Sequence, residues 1–259
     1  MQLIYIFDLI IIEQKLLFMS EIEQKKQILA SFLKICQESK IDGNILPKLA
    51  KDCEIDEAKI ELIFENGIVG IIEFFITDVL RDLEGLVDSD NDFHSKKVRQ
   101  KIHFCLFNFF NIQKKNRKAV RSIKDFYFDL GNLACKNNGL TPVSFAVKSS
   151  YLIADKMWII LKDKSTDHNY YSKRMVLSKI TAKAFFTFID DESNDLQKTS
   201  DLISVEIEKV MSFEKFKKNV MEICGASKEE ICAMVFNEDG KVKSIGDIVK
   251  KLPFIRLFN

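Results

Sequence analysis

A chain of 259 residues with 47% hydrophobic content can bury a sizeable core, and its three prolines and nine glycines leave so few turn formers that long helices are favoured over a sheet. The formal net charge of +1 argues against a general polyanion binder or an acidic tail carrier, so any charge-driven contact must be local. Six cysteines without a CxxC pair read as free thiols of a reducing compartment, against a disulfide scaffold or a zinc site.

The first eighteen residues, MQLIYIFDLIIIEQKLLF, have no basic start, and Asp8, Glu13 and Lys15 interrupt their apolar runs. They are too broken to span a membrane or direct export and are expected to form an extension or a loosely docked helix ahead of Met19. Ile28, Phe32, Ile35 and Cys36 then recur at helical spacing. Asn44 caps a short second helix, Asp56 a third, and Asn66-Gly67 introduces a long apolar fourth from Ile68 to about Leu83. Three short helices feeding a long one give residues 19–66 the layout of a helix-turn-helix head.

Lys97 to Ile112, with IHFCLFNFF, is apolar on nearly every side and is expected to be central. A sixth helix runs through Phe126, Phe128, Leu130 and Leu133 to stop at Asn137-Asn138-Gly139. Thr141-Pro142 starts a seventh, which carries Phe145, Tyr151, Ile153, Met157 and Trp158. An eighth, from about Asp167, has two apolar stripes: Tyr171, Met175, Ala182, Phe185 and Ile189, and separately Tyr170, Leu177, Ile180, Ala184 and Phe188. A ninth, capped by Asn194 with Gln197 three residues on, offers Leu196, Ile203, Ile207 and Val210. Two buried faces on one helix predict a homodimer built from helices eight and nine. Residues 67–222 then form the body, and 223–259 a linker and basic amphipathic helix. From Lys241 onward five basic residues face one acid, a net +4, while Ile245, Ile248, Val249 and Leu252 share a helical face. Lys250, Lys251, Leu252 and Ile248 are the expected membrane contacts.

Catalytic machinery is sparse. There is no GxGxxG, no phosphate-binding loop, no HExxH, and no ExxH pair for a di-iron site. His94, His103 and His168 are the only histidines. His103, inside the apolar helix, reads as a core histidine. Asp167-His168 has no activated nucleophile nearby, and Asp190-Asp191-Glu192 reads as a solvated turn. The expectation is a protein with no catalytic residue, no metal and no cofactor. Nor does the head suit DNA: Lys51 to Glu65 holds two lysines against six acids, a net −4 where phosphate neutralisation is required.

The segment STDHNYYSKR, Ser165 to Arg174, puts an acid, a histidine and two tyrosines before two cations. Its residues alone leave an active site, a docking surface and an anion seat open. Together with ADKMW, FIDDES and IEKVMSFEK, it resembles the Coq-nine family of ubiquinone-biosynthesis accessory proteins, departing from it at Tyr170, where Trp is usual, and at Ser172, where Thr is usual. The likeness runs from about Ile28 to Glu214 and is strongest from Ala154.

The resemblance implies an all-α, TetR-like fold with a vestigial head and a helical lipid-binding and dimerisation domain. It implies a non-catalytic protein that presents polyprenyl-quinone intermediates to the di-iron demethoxyubiquinone hydroxylase. The implied ligand is an isoprenoid quinone or a phospholipid; the lack of an Arg-rich, acid-poor leader adds the expectation that the protein sits peripherally on the inner face of a bacterial cytoplasmic membrane. Phe104, Phe107, Phe110, Ile153, Met157, Trp158 and Phe185 are expected to line an apolar tunnel, with a partly buried Arg174 holding an oxygen of the ligand at its mouth. Tyr170, Tyr171 and Asp167 are expected to dock the hydroxylase. The alternative is a TetR-like regulator that senses an apolar ligand.

Overall fold

The computed structural model of the chain describes the backbone of residues 21–128, 142–166 and 168–224, and the side chains of 21–128, 148–166 and 169–212. Nine α-helices, three short 3-10 turns and no strand lie among them. The helices are α1 (21–38), α2 (Ile45–Asp52), α3 (Glu57–Ile63), α4 (Ile68–Ser89), α5 (Val98–Ile112), α6 (Arg117–Phe128), α7 (Pro142–Ile160), α8 (His168–Ile189) and α9 (Gln197–Cys224). The protein is all-α, as the scarcity of turn formers demands. The first eighteen residues, the expected stop at Asn137-Asn138-Gly139 and the basic tail lie outside the described residues.

Two compact units divide the chain, Met1–Ser204 and Val205–Asn259. In the first, Phe32, Ile45, Leu49, Ile60 and Phe64 form the core of the head, all nearly or fully buried. Asn66 and Gly67, both at positive φ, turn the chain into α4, a conformation that Gly67 adopts without a Cβ penalty. Gly70, in the first turn of α4, has Glu65 O where a Cβ would come within 2.2 Å, so no larger residue fits there without a backbone shift. α6 is pinned to α1 by Ser122, whose hydroxyl donates to Cys36 O at 2.8 Å.

α7 and α8 form an antiparallel pair, consistent with the short turn that joins them. On α8 the stripe Leu177, Ile180, Ala184 and Phe188 is buried. The other stripe divides: Tyr171 and Met175 are exposed, while Phe185 and Ile189 turn toward the body. The first two turns of α8 thus present an uncovered apolar face. Leu196, just ahead of α9, and Ile203 and Ile207 on it are buried, while Val210, the fourth residue of that stripe, is half-buried.

The turn between α8 and α9 corrects two expectations. Asp190 and Glu192 are exposed, but Asp191 is fully buried. It accepts hydrogen bonds from the Ser193 amide at 2.9 Å and the Ser193 hydroxyl, and from the Thr199 amide at 2.8 Å and the Thr199 hydroxyl at 2.6 Å. The start of α9 is therefore held by Asp191 and by the Ser193 hydroxyl, which accepts from the Lys198 amide at 3.1 Å, rather than by Asn194. Burial opposes ionisation of Asp191, but the Ser193 and Thr199 hydroxyls and amides outweigh it and bring the pKa from 3.8 to about 2. A carboxylate depressed in this way stabilises the fold fully above its unfolded pKa and loses that contribution as the pH falls through about 2. Asp191 is expected to contribute about 2 kcal/mol at neutral pH. In Asp191→Asn, acid titration of folding monitored by circular dichroism should lose that part of the slope between pH 4 and about 2.

Candidate functional site

Five helices of the first unit enclose a cavity of about 110 Å³. α4 contributes Ile72, Phe75 and Ile76, α5 contributes Phe109 and Phe110, and α6 contributes Val120, Ile123 and Tyr127. Ile153 of α7 and Ala182, Phe185 and Phe186 of α8 complete the apolar wall. The elements meet here because each turns a 3.6-period apolar stripe inward, such as Val120, Ile123 and Tyr127 at i, i+3 and i+7. Gln113 and Thr181 are buried in the wall, but each satisfies itself on its own helix: Gln113 Nε2 donates to Phe109 O at 2.8 Å and Thr181 Oγ1 to Leu177 O at 2.9 Å. Burial, with Glu73 second, pushes the Tyr127 phenol above its ordinary range, so it stays neutral. The cavity can hold a compact apolar group and offers no charge to one within it beyond Lys124 near the mouth.

Of the seven residues expected to line a tunnel, Phe110, Ile153 and Phe185 do line this cavity and four do not. Phe104 lies about 120° round α5 from Phe110 at ~100° per residue, and it packs on Phe93 at 5.5 Å beneath Lys96. Phe107 stacks on His103 at 6.2 Å. His103 Nε2 itself lies 3.3 Å from both the carbonyl and the hydroxyl of Ser200, the satisfied setting expected of it. Met157 is fully buried and Trp158 nearly so, but both belong to a separate region where α7 turns into α8.

That region is a network of charges. Arg174 is not partly buried but almost fully so, at 3% exposure. Its Nε donates to Asp155 Oδ1 at 2.5 Å, its Nη1 donates to Tyr170 O at 3.1 Å, and Nη1 lies 3.7 Å from Asp163 Oδ2. The guanidinium carbon sits 3.3 Å over the Tyr170 ring, whose hydroxyl donates to Asp155 Oδ1 at 3.3 Å. Lys173 donates to Asp163 Oδ1 at 2.7 Å and to Ser165 Oγ at 2.6 Å, and lies 5.1 Å over the Trp158 indole. Two cations thus face two carboxylates. Asp163, though buried, is held below the usual carboxylate range by Lys173 and Ser165. Arg174 is committed to this network by acids nineteen and eleven residues upstream, partners that helical spacing alone does not identify. Tyr170 is half-buried within the network, while Tyr171 points outward at 63% exposure. Asp167 and the membrane residues Ile248, Lys250, Lys251 and Leu252 lie outside the described residues.

A family model, COQ9, matches residues 143–214. The chain is also similar to the ubiquinone biosynthesis protein COQ9-A, mitochondrial, of Xenopus laevis, at 22% identity over 201 residues, 78% of this chain and 62% of that protein. The COQ9-B protein of the same frog is 23% identical over 78% of this chain and 67% of its own length. The COQ9 protein of Xenopus tropicalis is 21% identical over 78% and 62%. The chain thus spans a little over three fifths of the first of these relatives. The family match takes in nearly all of α7, the whole of α8 and about the first two thirds of α9, and with them the charge network and one wall of the cavity. These residues carry the chain's likeness to the COQ9 family.

Proposed function

We propose that this chain is a non-catalytic accessory protein of ubiquinone biosynthesis that takes up the isoprenoid part of a quinone intermediate and presents it to the demethoxyubiquinone hydroxylase. The relatives are named for ubiquinone biosynthesis, and the observation that carries the finer reading is the apolar cavity. An apolar cavity of about 150 Å³ stays dry and takes a benzene-sized guest, so 110 Å³ suits about one isoprene unit. Burying such a unit contributes roughly 4 kcal/mol at about 0.8 kcal/mol per methylene-sized group. A longer chain is accommodated by displacing the side chains at the mouth. Hydroxylase docking falls to the uncovered start of α8, where Tyr171 and Met175 are exposed. The exposed Val205 and Met211 of α9 support a homodimer.

A TetR-like regulator shares the proposed architecture, but Glu54, Asp56, Glu57, Glu61 and Glu65 of the head are all exposed, which disfavours duplex binding. Among the described residues no helix is long and apolar enough to cross a membrane. Organic extraction of mildly purified protein, followed by mass spectrometry, is expected to release an isoprenoid lipid. Ala182→Trp, which fills the cavity from α8, is expected to yield at least tenfold less at equal protein recovery. Equal lipid from both proteins, or none from either, counts against the cavity as its seat.

A further inference from the structure

From Lys114 to Phe128 the chain carries six basic residues and one acid, a net +5 within a protein of net +1. On α6, Arg117, Arg121, Lys124 and Phe128 are spaced i, i+4, i+7 and i+11, so they share one side of the helix, about a third of a turn round from the buried Ala119, Val120, Ile123 and Tyr127, with Lys118 on the outer edge of that side. Acids of the same region compensate part of this charge. Lys114 pairs with Asp195 at 3.1 Å, Arg121 with Asp190 at 3.0 Å, and Lys124 with Asp125 at 2.7 Å. Lys115, Arg117 and Lys118 make no ion pair among the described residues, and Lys115 and Lys118 are exposed. The stripe ends on Phe128, which is 44% exposed and meets Phe186 of α8, 49% exposed, edge to face at 6.0 Å. Both rings also line the apolar cavity.

We propose that the basic face of α6 and the Phe128–Phe186 pair seat the protein on an anionic phospholipid surface, with the mouth of the cavity opening into that surface. The proposal rests on the reading that the cavity takes up lipid. Cations flanking exposed aromatic rings form the pattern of an interfacial helix, the charges at the headgroups and the rings at the acyl boundary. An acidic protein would satisfy the cations but would leave unexplained why two large apolar side chains stand exposed at the entrance to an apolar cavity. On a leaflet, an isoprenoid chain passes from acyl chains to cavity without crossing water. The surface is made of α6 and α8 residues and includes none from the basic tail.

The test uses the full chain and sedimentation with vesicles of phosphatidylcholine, with and without phosphatidylglycerol. Lys115→Glu/Lys118→Glu is expected to lower partitioning onto the anionic vesicles by about tenfold or more, with an unchanged circular dichroism spectrum. Phe128→Ser/Phe186→Ser is expected to lower partitioning onto both kinds of vesicle. Lys250→Glu/Lys251→Glu runs in parallel, and partitioning that responds to the tail variant alone overturns the proposal. So does a charge variant that sediments like the parent but loses adsorption to soluble polyglutamate, since the stripe is then a seat for an acidic protein. Uptake of a fluorescent apolar probe without vesicles separates the two readings. Uptake retained by the charge variant while its partitioning falls supports the surface; a parent protein that takes up no probe removes the cavity reading on which it rests.

Discussion

Replacing Arg174 with methionine is expected to destabilise the protein by about 3–5 kcal/mol, the usual result of removing one partner from a buried ion pair. The substitution keeps most of the apolar stem and removes the guanidinium. Asp155 loses a donor at 2.5 Å, and the buried Asp163 Oδ2, which has no hydrogen-bond partner among the described residues, loses the guanidinium 3.7 Å away. The Tyr170 ring loses the flat group stacked 3.3 Å from its centre. Lysine is a poor substitute, because a point charge reproduces neither the fork nor the stack. For a chain of this size the midpoint of thermal unfolding should fall by roughly 10 °C, read by circular dichroism. A variant within about 1 kcal/mol of the parent would mean that the guanidinium is solvated and free to hold an anion.

Phe110→Ala is expected to cost a similar amount, about 3–5 kcal/mol, and to be partly rescued by ligand. Phe110 is 1% exposed, touches Phe109 and Phe188 at ring separations of 5.3 and 5.2 Å, and forms part of the cavity wall. Truncation both removes these contacts and enlarges the space already present. An isoprenoid alcohol such as farnesol at a hundredfold excess over its dissociation constant restores about 2.7 kcal/mol. Urea unfolding with and without farnesol should therefore show a larger gain for the variant than for the parent. An equal gain in both would place the alcohol away from Phe110.

The helices were legible because punctuation and periodicity agree: Asp56, Asn66-Gly67 and Thr141-Pro142 all stand at or next to observed helix starts. The buried stripe of α8 was equally plain from Leu177, Ile180, Ala184 and Phe188. The cavity was legible only in part. Periodicity says that α5 is apolar nearly all round but not which phenylalanine faces which neighbour, so it does not tell Phe110, on the cavity wall, from Phe104 and Phe107, which pack elsewhere. Its α4 and α6 walls, Ile72, Phe75, Val120 and Ile123, look like any core stripe until the helices are assembled. Charges misled for a different reason. Arg174 and Asp191 were read by their immediate neighbours, whereas their burial depends on partners eight to nineteen residues away.

Trp158 is the chain's single tryptophan, and its indole lies buried under Lys173 with an Nε1 that finds no acceptor among the described residues. The protein therefore carries its own optical gauge of the α7–α8 turn. Emission from an indole in so dry a setting is blue, and any loosening that wets the turn, whether by a docking enzyme or by heat, registers as a red shift without a label.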